Sequence, residues 1–283
     1  MPKLVCYDQF RSDLYRVGID YAAEHAVALG FDAVECLDTC GAALPLYAHP
    51  EAARFAEVLA RNGLSVACYS VAADLFPRTE AVVEELKRHA RFAAELGSPL
   101  FHHTLQSPLE KTPDAPSFDE VLPVVLESAV EVAQVCGELG VTALYEPQGL
   151  YFNGTENLTR FFAAISAQVE NVGICADFGN PLFVGAEPKD VITCLAQVVR
   201  HVHVKDYLRT AAPQKDVDGF SLVDGHWLYD AVPGDGVVDA PECLRILRES
   251  GYSGALAFEM SGSDEMLREA IKRVKKWWNC YPA

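Results

Sequence analysis

The sequence contains no run of about eighteen consecutive apolar residues, so nothing in it reads as a transmembrane helix. Its first residues, MPKLVCYDQFRSD, lack the apolar stretch of a secretory signal, and a cytoplasmic protein is expected. Basic residues are few: 23 Lys and Arg stand against 40 Asp and Glu, for a formal charge of −17. Nucleic-acid binding relies on clustered cationic side chains that displace counterions, so DNA, RNA and anionic membrane surfaces are not expected as partners. Nine cysteines (Cys6, Cys36, Cys40, Cys68, Cys136, Cys175, Cys194, Cys243 and Cys280) are scattered, odd in number and without a CxxC pair. That excludes a disulfide framework or a zinc ribbon as the organising device and leaves reduced, mostly buried thiols. Cys36 and Cys40 form one CxxxC spacing, too weak a signal to define a site by itself. No glycine-rich phosphate fingerprint follows the first apolar run, which argues against a dinucleotide-binding fold.

What is present is 283 residues with 50% hydrophobic content, enough for a large core, and the chain is read as one domain over 1–283. Short apolar runs alternate with longer amphipathic segments from end to end, the pattern of repeated strand-then-helix units around a parallel sheet. The runs number eight: 4–7, 33–37, 65–69, 100–103, 142–146, 173–177, 201–205 and 255–259. Between them the apolar period becomes helical, as in 80–96, where Val82, Val83, Leu86, Ala90, Ala93 and Leu96 share one side. A last helix from 264 to about 278 carries Leu267, Ile271, Val274 and Trp278 as its buried stripe. Gly30, Gly63, Gly97, Gly140 and Gly251 each close a helical segment just before a strand, as C-terminal helix glycines do. Eight such units without a linker predict an α/β fold, a closed (β/α)8 TIM barrel. One long excursion, 207–238, follows the seventh strand, and long structured connections at the strand-exit end of a barrel shape active sites.

In a barrel of this kind chemistry sits at the C-terminal strand ends. Strands five to eight end in LYEPQG, ICADFGN, HVHVKD and AFEMSG, which brings Glu146, Asp177, His203 and Glu259 from four successive strands to one point. Three carboxylates and an imidazole suit one hard-to-borderline divalent ion, with Mn2+ expected ahead of Mg2+, Co2+ or Zn2+. Taken singly, each residue is equally a loop acid or a helix cap; their convergence makes the case.

Along essentially its full length the chain resembles the xylose isomerase-like TIM barrel superfamily, the sugar phosphate isomerase/epimerase group. The matching motifs are EPQG at 146–149, DFGN at 177–180, HVHVKD at 201–206, PGDG at 233–236 and Glu259 on strand eight. The resemblance implies that Glu146, Asp177, His203 and Glu259 bind a single metal and that Glu146 and Glu259 are the catalytic acid/base pair. It implies a sugar isomerase or epimerase that removes a proton beside a ketone and stabilises the resulting enediolate. The partner is then a small carbohydrate, with homo-oligomerisation left open. It also places a substrate-contacting arginine at Arg209, six residues past His203. Two positions depart from the ketose 3-epimerase pattern, Asn180 standing for a histidine and Phe152 for an acid.

Further candidates for substrate contact are Lys205, Asn180, His102 and His103; parity sends one of the two histidines inward and the other toward a helix. Glu35, His226 and Trp227 are read as substrate contacts or as salt-bridge and packing residues, and His201 as a hydrogen-bonded core histidine. Competing functions are a metal-dependent lyase or dehydratase using the same proton abstraction, a phosphodiesterase of the AP endonuclease kind suggested by Asp224 and His226, and a sugar-binding barrel without turnover.

Overall fold

The computed structural model of the protein describes residues 1–108 and 114–280. Eight parallel strands close into a barrel: β1 (Leu4–Cys6), β2 (Ala33–Thr39), β3 (Ser65–Ala72), β4 (Leu100–His103), β5 (Thr142–Tyr145), β6 (Val172–Asp177), β7 (Val199–Val204) and, after three strands of a separate sheet, β11 (Leu256–Phe258). Each pairs with its sequence neighbour, and β11 closes the ring by pairing with both β7 and β1. Helices α1 (Asp8–Arg16), α2 (Ile19–Leu29), α3 (Ala52–Arg61), α4 (Glu80–Glu95), α5 (Phe118–Glu138), α6 (Gly154–Ser166), α7 (Pro188–Leu195), α8 (Ala240–Glu249) and α9 (Asp264–Cys280) surround it. The (β/α)8 barrel expected from the alternating pattern is therefore the fold. Among the described residues, no helix is long and apolar enough to cross a membrane.

Local signals explain the helix ends. Ser117 and Glu120 form a reciprocal capping box at the start of α5, Thr79 Oγ1 accepts from the Val82 N–H at the start of α4, and Asp239 does the same for α8. All five glycines that the sequence places at helix ends have positive φ. On α4, Val83, Leu86, Ala90 and Ala93 are buried as expected, while Val82 and Leu96 are only partly covered.

The main apolar core lies between the strands' outward faces and the helices, with Phe10, Phe55, Phe101, Phe161 and Phe258 almost fully buried in it. Burying each large apolar side chain contributes about 1.5–3 kcal/mol. The interior is filled differently. Val5, Ala33, Ala67 and Ala257 form one small apolar group and Cys68, Leu144 and Cys175 another. Polar residues share the inward-facing positions: Glu35, Ser70, His102 and His201 are all buried. All nine cysteines are free, and six of them are buried.

The excursion after β7 is a small antiparallel sheet in the order β8–β10–β9, formed by β8 (Asp206–Thr210), β9 (Phe220–Ser221) and β10 (Trp227–Ala231). It has its own apolar cluster of Phe183, Tyr207, Leu222 and Leu228. Asp206, 1% exposed, ties this sheet to the barrel. Its Oδ1 accepts the N–H groups of Tyr207 and Val238 at 2.8 and 2.9 Å, and its Oδ2 those of Gly234 and Gly236 at 2.9 Å each. The PGDG motif is thus the loop that wraps this carboxylate. A Cβ on Gly236 would lie 2.2 Å from Asp206 Oδ1 and 2.4 Å from the Tyr207 carbonyl, so only glycine allows that approach. Removing the carboxylate leaves buried N–H donors unpaired, and Asp206→Ala is expected to lower the unfolding free energy by about 3 kcal/mol or more, measured by urea titration; a loss below about 1 kcal/mol would show that the clamp contributes little.

Candidate active site

Closure of the barrel in the order β5, β6, β7, β11 makes the four predicted ligands neighbours. Glu146 follows β5, Asp177 ends β6, His203 lies on β7 directly paired with Asp177, and Glu259 follows β11. One donor atom from each lies within 4.8 Å of the other three. The centre of the group is His203 Nδ1, 3.1 Å from Glu146 Oε2, 3.1 Å from Glu259 Oε2 and 3.7 Å from Asp177 Oδ2. Glu146, Asp177 and His203 are buried, and Glu259 is the most exposed of the four.

The backbone around β6 sets the direction of Asp177. Its Oδ1 accepts the N–H groups of Gly179 and Asn180 at 2.8 and 2.6 Å, which leaves Oδ2 pointing at the cluster. Asp177 Oδ2 and Glu259 Oε2 are both buried and, beyond the ion-pair approaches of Lys205 Nζ and His203 Nδ1, make no well-formed hydrogen bond among the described residues. Buried carboxylate oxygens of this kind are the groups a cation satisfies. Lys205, at the break between β7 and β8, partly meets the need: its Nζ lies 2.7 Å from Glu259 Oε1, 3.2 Å from Asp177 Oδ2 and 3.1 Å from Asn180 Oδ1. Gly179 makes room for it, since a Cβ there would lie 2.6 Å from the Lys205 side chain and 2.4 Å from the Tyr207 ring. Burial would raise the Asp177 pKa, but the Lys205 charge, with His203 and the Asn180 N–H, holds it well below the usual carboxylate range. Burial pushes Glu146 the other way, up to about 7, because the charge and hydrogen bond of His203 only partly offset desolvation.

Below this layer lies a second buried carboxylate, Glu35. It accepts from Ser70 Oγ at 2.5 Å and lies 3.2 Å from His203 Nε2 through Oε1, and 2.7 Å from His201 Nε2 through Oε2. His201 is the hydrogen-bonded core histidine expected from its depth. Glu35, at 0% exposure, is a support for the two imidazoles, in place of the substrate contact considered from sequence. His102 is the inward member of its pair, with Nδ1 3.1 Å from Ser70 Oγ and Nε2 3.6 Å from Glu146 Oε1. His103 has the opposite parity. It is enclosed by Phe101 and Tyr145 and bonds the Thr104 carbonyl at 3.1 Å, so it is the member of the pair that faces away from the mouth.

Arg209 is not brought to the cluster either. It sits on the exposed face of β8, where its guanidinium pairs with Asp224, and the same aspartate holds His226 at 3.1 Å. With these three side chains paired to one another, neither Asp224 nor His226 joins a metal-ligating group among the described residues. Trp227 is half-buried in β10. Phe152, at the position read as lacking an acid, is a buried core ring packed edge-on against Phe161 and Phe118.

Three features of the site were not singled out from sequence. Tyr7, at the end of the first apolar run, places its ring 5.0 Å from the His203 ring. Asp8, the next residue, is pushed up to about 7 by burial and by the charge of Glu259. With Arg11, Ser12, Tyr15 and Ser261 it lines a cavity of about 440 Å³ at the exits of β1 and β11. Its position directly after the first strand was the available signal. Cys175, two residues before Asp177 and on the same face, also lies within ligand distance of Glu146 and His203.

Comparison with known proteins agrees with this architecture. Among curated relatives, the rhizopine catabolism protein MocC of Rhizobium meliloti is 32% identical over 46% of this chain and 39% of its own length. An inosose dehydratase of Geobacillus thermodenitrificans is 24% identical over 72% and 71%. Among solved structures, a xylose isomerase-like TIM barrel protein from Mycobacterium smegmatis in complex with magnesium superposes with a TM-score of 0.75 at 17% identity, over 99% of this chain and 97% of that one. The 3-keto-D-glucoside 4-epimerase of E. coli superposes with a TM-score of 0.73 at 16% identity, over 98% and 100%. The xylose isomerase-like TIM barrel profile matches residues 23–277, and on that match, with the closed barrel beneath it, the chain belongs to the xylose isomerase-like TIM barrel family.

Proposed function

We propose that the barrel mouth is the active site of a divalent-metal-dependent sugar isomerase or epimerase, acting on a small keto sugar or related polyol by proton abstraction. The observation that carries this reading is the convergence of three carboxylates and one imidazole nitrogen within 4.8 Å, with two buried carboxylate oxygens that make no well-formed hydrogen bond among the described residues. Oxygen-rich sets with one imidazole fit Mn2+ or Mg2+, with Co2+ and Zn2+ as the borderline choices. An ion held there supplies Lewis-acid polarisation of a substrate carbonyl, which makes the proton on the adjacent carbon removable.

The chain's own groups do the rest. Glu35 accepts at His203 Nε2 at 3.2 Å, so Nδ1, the nitrogen that faces Glu146, Asp177 and Glu259, is the one that would give up its proton to hold an ion. Glu146 stands just past β5 with Oε2 on the cluster and Oε1 3.6 Å from His102 Nε2, which places a carboxylate where it can take a substrate proton. Glu259 keeps Oε1 on Lys205 and turns Oε2 toward His203 at the cluster, and as the most exposed of the four side chains it is placed for the second proton transfer. The Lys205 ammonium, fixed between two acids, provides a positive charge near any oxygen that becomes negative. The cavity beside Asp8 is of a size that small ligands occupy.

Return of the proton to the opposite face inverts a stereocentre; delivery to the neighbouring carbon interconverts aldose and ketose. A second reading, dehydration by loss of a hydroxyl next to the new carbanion, is favoured by the inosose dehydratase among the curated relatives.

Exhaustive chelation is expected to abolish turnover and Mn2+ to restore it; full activity without metal sinks the proposal. In heavy water, ketoses or inososes that are substrates should take up deuterium at the carbon next to the ketone. Glu259→Gln should slow that uptake by about 10²–10⁴-fold, and an unchanged rate removes Glu259 from the chemistry. Mass analysis of the product separates the outcomes, since an epimerase conserves substrate mass and a dehydratase removes one water. Glu35→Gln is expected to weaken Mn2+ binding by about 10–100-fold in calorimetric titration, as loss of a supporting carboxylate does at metal-binding histidines; wild-type affinity would assign Glu35 to packing alone.

A further inference from the structure

The geometry points to a second metal-ion site, outside the barrel, in which Cys40, Glu85 and His89 hold a borderline divalent ion such as Zn2+. Cys40 lies just past β2, while Glu85 and His89 stand one turn apart on the face of α4 that covers it. One ligand atom from each lies within 4.8 Å of the other two. Glu85 Oε1 is 3.9 Å from His89 Nε2, beyond hydrogen-bond reach but close to the spacing of two ligands on one ion.

His89 supplies an independent observation. It is 0% exposed, and its Nε2 has no hydrogen-bond partner among the described residues. A buried imidazole nitrogen left in that state calls for an occupant. Its other nitrogen is already held, with Nδ1 3.2 Å from Tyr69 Oη and 3.6 Å from Asp38 Oδ2. An acceptor on one imidazole nitrogen and an open lone pair on the other is the arrangement found at metal-binding histidines. Asp38 is itself fixed by the N–H groups of Thr39 and Leu46 at 2.8 and 2.6 Å, so the support is rigid. Glu85 is fixed too, by the Gly41 N–H at 2.9 Å.

The donor set selects the ion. A thiolate and a carboxylate balance a double positive charge, and sulfur with imidazole nitrogen disfavours Mg2+ and Ca2+. Burial, then Glu85 and Asp38, push the Cys40 thiol up to about 12, so ligation must expel its proton. Such an ion would tie the β2 exit to α4. Cys40 and Glu85 are partly exposed, which leaves a path for the ion to enter. The site shares no residue with the barrel mouth and does not rest on the proposed reaction.

The test is titration of chelator-stripped protein with Co2+, read by the near-ultraviolet sulfur-to-cobalt charge-transfer band and by the number of ions bound. The band is expected in wild type and in Asp177→Asn, and lost in Cys40→Ser and in Glu85→Gln together with one bound ion per chain. Far-ultraviolet circular dichroism should be unchanged in the Cys40 variant, because that side chain is only half-buried. A wild-type protein without the band overturns the proposal. So does a band that survives Cys40→Ser and disappears in Cys175→Ser, which would place the sulfur ligand in the barrel.

Discussion

Like charges confined to a water-poor space govern this molecule. Two carboxylates 4 Å apart repel by about 4 kcal/mol at the effective dielectric of a protein near its surface. The mouth gathers oxygens of Glu146, Asp177 and Glu259 within 4.8 Å of one another, with Asp8 close enough for Glu259 to shift its protonation. The arrangement persists because His203 and Lys205 stand between the acids and because backbone N–H groups take one oxygen of Asp177. Compensation inside the protein is incomplete, and the residual oxygens are where external positive charge is wanted.

The fold was legible because barrel architecture is written in period and punctuation. Apolar runs end where polar residues begin, and helix-terminal glycines precede the strands, so the eight runs were placed within a few residues of β1 to β7 and β11. The convergence of the four side chains was legible for the same reason: strand parity sends Asp177 and His203 inward, and adjacency in the ring brings Glu146 and Glu259 beside them. What parity does not give is depth. Position along β7 already set His201 below His203, but Glu35 shares the inward face of another strand, and only three-dimensional packing shows that it contacts both imidazoles. Arg209 shows another limit. Counting residues from His203 ignores that the chain turns into a second sheet at Asp206, where register with β10 carries the guanidinium to Asp224. The choice between His102 and His103 also needed coordinates, since two consecutive strand residues differ only by which one the sheet turns inward.

Strand β2 shows how one segment serves two surroundings. Glu35 faces the barrel axis and holds imidazoles under the mouth, whereas Cys36 and Asp38 face the helices, where Asp38 meets Tyr69 and His89. Strand β3 repeats the division, with Tyr69 outward and Ser70 inward on Glu35. Alternation along a strand thus places two polar networks back to back, on opposite faces of the same sheet.

The Asp206 clamp separates what must stay still from what is free to vary. Everything between the two ends of the wrapped loop, including β9 and the turn that carries Asp224 and His226, emerges from and returns to one anchored point next to Lys205. Lengthening, shortening or rewriting that segment therefore leaves the ammonium and the acids it touches where they are. The anchored frame and the excursion it carries are thus mechanically separate parts of one chain.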